Sequence, residues 1–291
     1  MHTKDTFSYT INVGGQLLDL SEPQVMGILN VTPDSFYNES RRQTEQGIAQ
    51  RVRQIVEEGG SIIDIGAYST RPGAQEVSKE EEFARLHMAL DIVRREIPKT
   101  VVISIDTFRA GIAESIADEF GPIIVNDVSG GADPGMFAVV SRLGLPYILT
   151  HSPLGILSTT SSPLNRPFPT EEFMPSVLLY LSQRIDTLLQ LGQKDIILDP
   201  GFGFGKSLDE NYELLMQLDV LHTFRLPLLV GISRKSMIFR LLSTSPEEAL
   251  NGTTVLNTLA IERGASILRV HDVSAATEVI KIVRKCSSPL V

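Results

Sequence analysis

Residues able to hydrogen-bond or move protons stand at the ends of eight short apolar runs in this 291-residue chain. They are Asn30, Asp64, Asp106, Asn126-Asp127, His151, Asp199, Ser233-Arg234-Lys235, and Arg269, His271 and Asp272 around Val270. Each alone has an ordinary explanation. An aspartate after a strand commonly caps the next helix, a lone histidine commonly sits satisfied in a core, and Asp64 two residues before Gly66 could stiffen a loop. Capping does not require all eight ends to be polar at once. As a set, Asp106, Asn126 and Asp199 offer carboxylate and amide groups, with Lys235 as a cationic donor. That suits a flat heterocycle with a donor–acceptor edge, such as a pterin or a purine amidine. Cations gather separately: Arg71 in "STRPG", then Arg269 and His271, which strand alternation puts on one side. At the end of a last barrel strand, such a group fits a phosphorylated substrate. Asn30 and the nearby Asp34 could place a Mg²⁺ bound mainly by phosphate oxygens and water. No His/Cys spacing supports zinc.

The stretch "DPGFGFGKS" (199–207) imitates a nucleotide loop and fails the comparison on register. A P-loop needs glycine five residues before its Gly-Lys-Ser, and Pro200 stands there. A dinucleotide fingerprint needs glycines spaced two and then three apart, whereas Gly201, Gly203 and Gly205 are evenly spaced. What remains is an acid at a strand end, Asp199, followed by a glycine loop.

Eight runs rich in Val, Ile and Leu carry these polar ends: residues 25–31, 61–66, 101–106, 122–127, 146–151, 195–200, 228–233 and 266–272. They do not alternate apolar with polar, as expected of parallel strands buried on both faces. Between them lie stretches with helical apolar spacing. One ends on Gly59-Gly60, and another opens on Ser78 and Glu81 as a capping box and stops before Pro98. Eight strand–helix units predict a (β/α)8 barrel over residues 25–291, with a doubly wound sheet as the alternative. "SYTINVGGQLLDL", within residues 1–24, reads as a β-hairpin closing the barrel bottom. The Ser/Thr/Pro-rich segment 152–169 is expected to be a mobile loop, and no composition shift divides the chain.

A hydrophobic content of 42% and a mean hydropathy of +0.07 allow a large core. A net charge of −9 argues against nucleic-acid binding by bulk charge, so any anion must be held by a local cation cluster. One cysteine, Cys286, leaves no intramolecular disulfide and fits a reducing cytoplasm, and no stretch has the length of a signal core or a membrane span.

Seven motifs, in order, resemble the dihydropteroate synthases over nearly the whole chain: "GILNVTPDSF" (27–36), "STRPGA" (69–74), "SIDTFRA" (104–110), "NDVSGG" (126–131), "LDPGFGFGKS" (198–207), "LLVGISRKSMI" (228–238) and "RVHDV" (269–273). The resemblance implies a TIM barrel that joins 4-aminobenzoate to 6-hydroxymethyl-7,8-dihydropterin diphosphate with release of pyrophosphate. It assigns the pterin to Asp106, Asn126, Asp199 and Lys235, with Arg269 along the ring. It assigns the diphosphate and its Mg²⁺ to Asn30, Arg71, Arg269 and His271, and 4-aminobenzoate to Thr70, Pro72, Phe204 and Ser233. The reaction itself falls to Asn30, Arg71, Asp106, Lys235, Arg269 and His271. It also implies a homodimer, sensitivity to sulfonamides, and a dissociative course in which diphosphate leaves first. The chain departs from the family pattern at Asn38-Glu39-Ser40, where Asp-Gly-Gly is usual. It departs again at Thr150 and Ser152, where methionine is common, and at Ala67-Tyr68, where Gly-Glu is common. Two other functions remain open: a non-catalytic pterin-binding paralogue and a methyltetrahydrofolate–corrinoid methyltransferase.

Overall fold

The structure is a computed structural model that describes residues 8–31, 41–68, 76–153 and 172–287. Asp34, the altered stretch 38–40, Thr70, Arg71, Pro72 and most of the Ser/Thr/Pro-rich segment lie outside the described residues. A first pair of strands, β1 (Thr10–Val13) and β2 (Gln16–Asp19), forms an antiparallel hairpin. Gly14 and Gly15 turn it at φ of 59° and 97°, a region open to glycine without steric cost.

Eight parallel strands follow: β3 (Gln24–Asn30), β4 (Ile62–Gly66), β5 (Val102–Asp106), β6 (Ile124–Asp127), β7 (Tyr147–Thr150), β8 (Ile196–Asp199), β9 (Leu229–Val230) and β10 (Ile267–Val270). They pair in the order β8-β7-β6-β5-β4-β3-β10-β9, and a parallel bridge between Leu198 and Leu228 brings β8 back to the start of β9. This is the predicted (β/α)8 barrel. Its outer ring is α1 (Arg41–Glu57), α2 (Lys79–Glu96), α3 (Ala110–Phe120), α4 (Met136–Leu143), α5 (Phe173–Gln190), α6 (Leu208–Met216), α7 (Ser236–Leu241), α8 (Leu250–Glu262) and α9 (Val273–Ser287).

Strand alternation divides the barrel interior into layers. The lowest takes one apolar residue from every strand: Met26, Ile62, Val102, Ile124, Ile148, Ile197, Leu229 and Ile267. Ile11, Val13, Leu18 and Leu20 of the hairpin segment join that cluster, so the hairpin plugs the bottom as expected. The helices cover the outer face of the sheet through a second, larger cluster that includes Leu86, Val177 and Leu256.

Two local details differ from the sequence reading. Ser78 accepts from Glu81 N at 3.1 Å, but the Glu81 carboxylate pairs with Arg85. The reciprocal capping box stands instead at Ser207 and Glu210, opening α6. The seventh run, residues 228–233, is strand only at Leu229–Val230 (β9), because the chain leaves the ladder at Gly231. A Cβ on Gly231 would stand at ordinary contact distance from Arg269 Cβ (3.8 Å) and Lys235 Nζ (4.0 Å), so this position lies against both side chains.

Candidate active site

Two residues above the apolar layer, the same strands change chemistry. The inward positions become Ile28, Asp64, Ser104, Asn126, Thr150, Asp199, Gly231 and Arg269, and two residues higher they include Asn30, Gly66, Asp106, Ser233 and His271. Polar groups thus replace aliphatic ones at the C-terminal mouth, where barrel enzymes build their sites.

Asp64 is the hub of the middle layer and is fully buried. It accepts from Ser104 Oγ at 2.6 Å, Asn126 Nδ2 at 3.0 Å and Arg269 Nε at 2.7 Å. It does not merely stiffen a loop. Arg269 also donates through Nη2 to Asp106 at 2.8 Å, so one guanidinium is shared by two carboxylates. Their charge holds Arg269 above its ordinary range against the opposing effect of burial. Burial pushes Asp106 up to about 7, with Arg269 pulling the other way and Asp64 reinforcing the rise.

On the opposite wall, Asp199 Oδ1 accepts from Gly201 N at 2.7 Å, an Asx turn that starts the glycine loop. Burial raises the Asp199 carboxyl, while the neighbouring Lys235 ammonium opposes the rise. Lys235 is lowered to about 8, chiefly by burial. Its Nζ donates to Phe202 O and lies 4.7 Å from the centroid of the Phe204 ring. Phe204 is therefore at the mouth with the lysine above it.

Lys206 and Ser207, the residues that imitate a P-loop, are both occupied by the fold. Lys206 Nζ donates to the carbonyls of Gly201 (2.7 Å), His151 (3.1 Å) and Phe204 (3.2 Å), stapling the loop to the end of β7. Ser207 caps α6.

Arg234 adopts φ of 54°, a left-handed conformation that strains a non-glycine residue. Its guanidinium binds Asp272 at 2.8 and 2.9 Å and the carbonyls of Pro246 (2.9 Å) and Glu247 (2.6 Å), which hold the turn in place. The turn delivers Lys235 to the N-cap position of α7. Ser233 Oγ accepts from His271 N at 3.2 Å, and Arg51 donates to His271 O at 2.6 Å, which together fix the end of β10. Asn30 is half-buried at the same mouth, its Oδ1 3.5 Å from where a Cβ on Gly66 would stand. Ala67-Tyr68 is accommodated locally: Arg85 donates to Ala67 O at 3.1 Å, and the Tyr68 ring meets Phe108 edge-on at 5.1 Å.

The structure thus gathers Asn30, Asp106, Asn126, Asp199, Phe204, Ser233, Lys235, Arg269 and His271 at one barrel end. Two strand-end residues do not belong there. Asp127 faces the helix layer, where Tyr147 donates to it at 2.7 Å and Ser129 N and Gly131 N at 2.8 and 2.9 Å. The His151 ring meets Tyr180 of α5 edge-on at 4.8 Å, and burial holds its pKa well below the ordinary value. Alternation along β6 and β7 would have separated both from Asn126 and Thr150.

The pattern of the pterin binding enzymes matches residues 26–271. Dihydropteroate synthase of Escherichia coli (strain K12) is 39% identical over 271 residues, covering 92% of this chain and 93% of that protein. The Yersinia pestis dihydropteroate synthase, solved with a sulfonamide drug, superposes with a TM-score of 0.85 at 37% identity, covering 97% of this chain and all of that one. The Xanthomonas albilineans enzyme, solved with 7,8-dihydropteroate, superposes with a TM-score of 0.84 at 30% identity and the same coverage. With the polar mouth in the barrel and these relatives along nearly its full length, the chain belongs to the dihydropteroate synthases, within the pterin-binding enzymes.

Proposed function

We propose that this chain condenses 6-hydroxymethyl-7,8-dihydropterin diphosphate with 4-aminobenzoate, releasing pyrophosphate and 7,8-dihydropteroate. The observation that carries the reading is the ring of Asp64, Asp106, Asn126, Asp199 and Arg269 set directly above an apolar barrel floor. Such a pocket buries a flat ring and meets its edge with fixed acceptors and donors. Asp199 and Asn126 read the ring edge, Lys235 donates beside them, and Arg269 lies along the ring while keeping Asp106 in place. In the reaction the methylene carbon loses its bond to the diphosphate oxygen and gains one to the aminobenzoate nitrogen. The diphosphate departs with the bonding electrons, and the amine gives up a proton. Departure before attack draws on electron density from the reduced pterin, and the site needs no covalent nucleophile.

Arg71, Arg269 and His271 hold the departing diphosphate, and Thr70, Pro72, Phe204 and Ser233 shape the aminobenzoate site, where sulfonamides compete. Mg²⁺ fits a mouth that offers the Asn30 amide oxygen beside Asp106, since this ion takes few protein ligands and completes its shell with phosphate and water. Among the described residues no cluster of three His, Cys, Asp or Glu side chains could cage a metal. When bound, it would neutralise charge building on the diphosphate. The protein works as a cytoplasmic homodimer, whose second copy would cover Leu241, Leu242, Val255 and Leu259, exposed at the end of α7 and on α8. Among the described residues no helix is long and apolar enough to cross a membrane.

Product formation from both substrates, with and without Mg²⁺, tests the reading. Pterin binding with no dihydropteroate formed would leave a non-catalytic paralogue. Methyl transfer from methyltetrahydrofolate would indicate the corrinoid class. Asp199→Asn replaces an acceptor by a donor and is expected to weaken pterin binding by about 2–4 kcal/mol. Unchanged affinity in calorimetry removes Asp199 from that role.

A further inference from the structure

The middle layer of the barrel holds two polar atoms that the fold leaves without a partner. Thr150 Oγ1 and Asn126 Oδ1 are shielded from water and make no hydrogen bond, although Nδ2 of the same Asn126 donates to Asp64 at 3.0 Å. Thr150 ends β7 in register with Asp199 of β8, and Asn126 stands on β6, the strand on the other side. All three face inward by alternation from Ile124, Ile148 and Ile197 of the apolar floor. The threonine hydroxyl therefore lies between the strands of the two groups that read the ring edge.

A buried hydroxyl without a partner destabilises the unliganded protein. Thr253, also buried, avoids this by donating to Ala249 O at 2.8 Å within its own helix. Valine has the same shape as threonine and no group to satisfy. A hydroxyl at position 150 is explained by a molecule that enters the pocket and pairs with it.

We propose that Thr150 is a specificity-determining residue whose hydroxyl hydrogen-bonds the edge of the bound heterocycle. With Asn126 and Asp199 it forms a recognition edge spread over β6, β7 and β8. The proposal rests on the pterin reading of this pocket. A hydroxyl both donates and accepts, so this position can meet either a ring nitrogen or a ring N–H.

The test titrates 6-hydroxymethylpterin into the full chain and into Thr150→Val, Thr150→Ala, Thr150→Ser and Asp199→Asn by calorimetry, with thermal unfolding of each unliganded protein alongside. Thr150→Val is expected to bind roughly three- to tenfold more weakly, the worth of one neutral hydrogen bond, while unfolding at the same or a higher temperature. Thr150→Ser keeps the hydroxyl and should stay within about twofold of the parent, and Thr150→Ala should lose affinity as valine does. Parental affinity in the valine and alanine variants, with binding lost in Asp199→Asn, overturns the role of Thr150 and leaves the pterin reading standing. A lower unfolding temperature for unliganded Thr150→Val also overturns it, because the hydroxyl then has a partner inside the protein. Parental affinity in Asp199→Asn as well removes the pterin reading, and this proposal with it.

Discussion

Arg269 is held between Asp64 and Asp106 before any substrate arrives, which gives it a structural duty beside its chemical one. Arg269→Ala leaves the buried Asp64 carboxylate and the half-buried Asp106 carboxylate facing each other and should destabilise the fold by about 3–5 kcal/mol, read in denaturant unfolding. An unfolding midpoint equal to the parent's would show that the carboxylates are relieved some other way. Asp106 makes this network sensitive to pH. Its folded pKa of about 7 lies above its ordinary 3.8, so the fold binds that proton more tightly than the unfolded chain does. Its contribution is fully present below the ordinary value and is lost as pH rises through about 7. The parent should therefore lose stability relative to Asp106→Asn across that range, and parallel thermal profiles would contradict the assignment. Asp106, Asn126, Asp199 and Arg269 were legible because each stands at or near a strand end with the right alternation. The role of Asp64 was not. Its partners Ser104, Asn126 and Arg269 are 40, 62 and 205 residues away; pairing of β4 with β5 and of β5 with β6 brings the first two, and only closure of β10 onto β3 brings the third.

At the scale of elements, the loop after β8 shows how a strand end is turned into a binding wall. Gly201 sits at φ of 72°, and a Cβ there would fall 2.1 Å from His151 O, which belongs to the neighbouring strand's backbone and cannot swing aside. Gly201→Ala should cost on the order of 1–3 kcal/mol and shift the Asx turn that orients Asp199, so melting temperature and pterin affinity should fall together. A variant that melts earlier but binds pterin normally would uncouple the turn from the site. Several element boundaries could be read from the sequence. Gly59, at φ of 95°, ends α1 where the glycine pair placed the stop, and Ser78 opens α2. The cap at Ser207 was hidden inside a run that invites a phosphate reading, and Glu210 three residues later was the overlooked signal. The early exit of β9 had no signal in the sequence, since the apolar run continues through Ile232 while the strand ends at Val230.

Across the whole molecule, stability and chemistry occupy opposite ends of the barrel. The hairpin residues Ile11, Val13, Leu18 and Leu20 fill the floor, while the polar layers open at the mouth. Leu18→Ala should lose about 2–5 kcal/mol of stability yet leave kcat/KM unchanged at temperatures well below unfolding. A matching fall in kcat/KM would mean that the floor positions the site. The barrel itself was legible from eight buried runs with helical spacers, although the pairing of β10 with β3 follows from closure rather than from any local signal. That pairing has a consequence for how the chain is made. On the ribosome, β3 emerges ahead of the other barrel strands and waits for a neighbour that lies some 240 residues behind it. Asp64 and Asp106 are synthesised long before Arg269, so the half-made barrel carries an unneutralised acidic interior and an open edge at β3. Nascent chains stalled before residue 267 should therefore be held open by their own charge and by their unpaired strand, and be prey to proteases until the last strand supplies the missing cation.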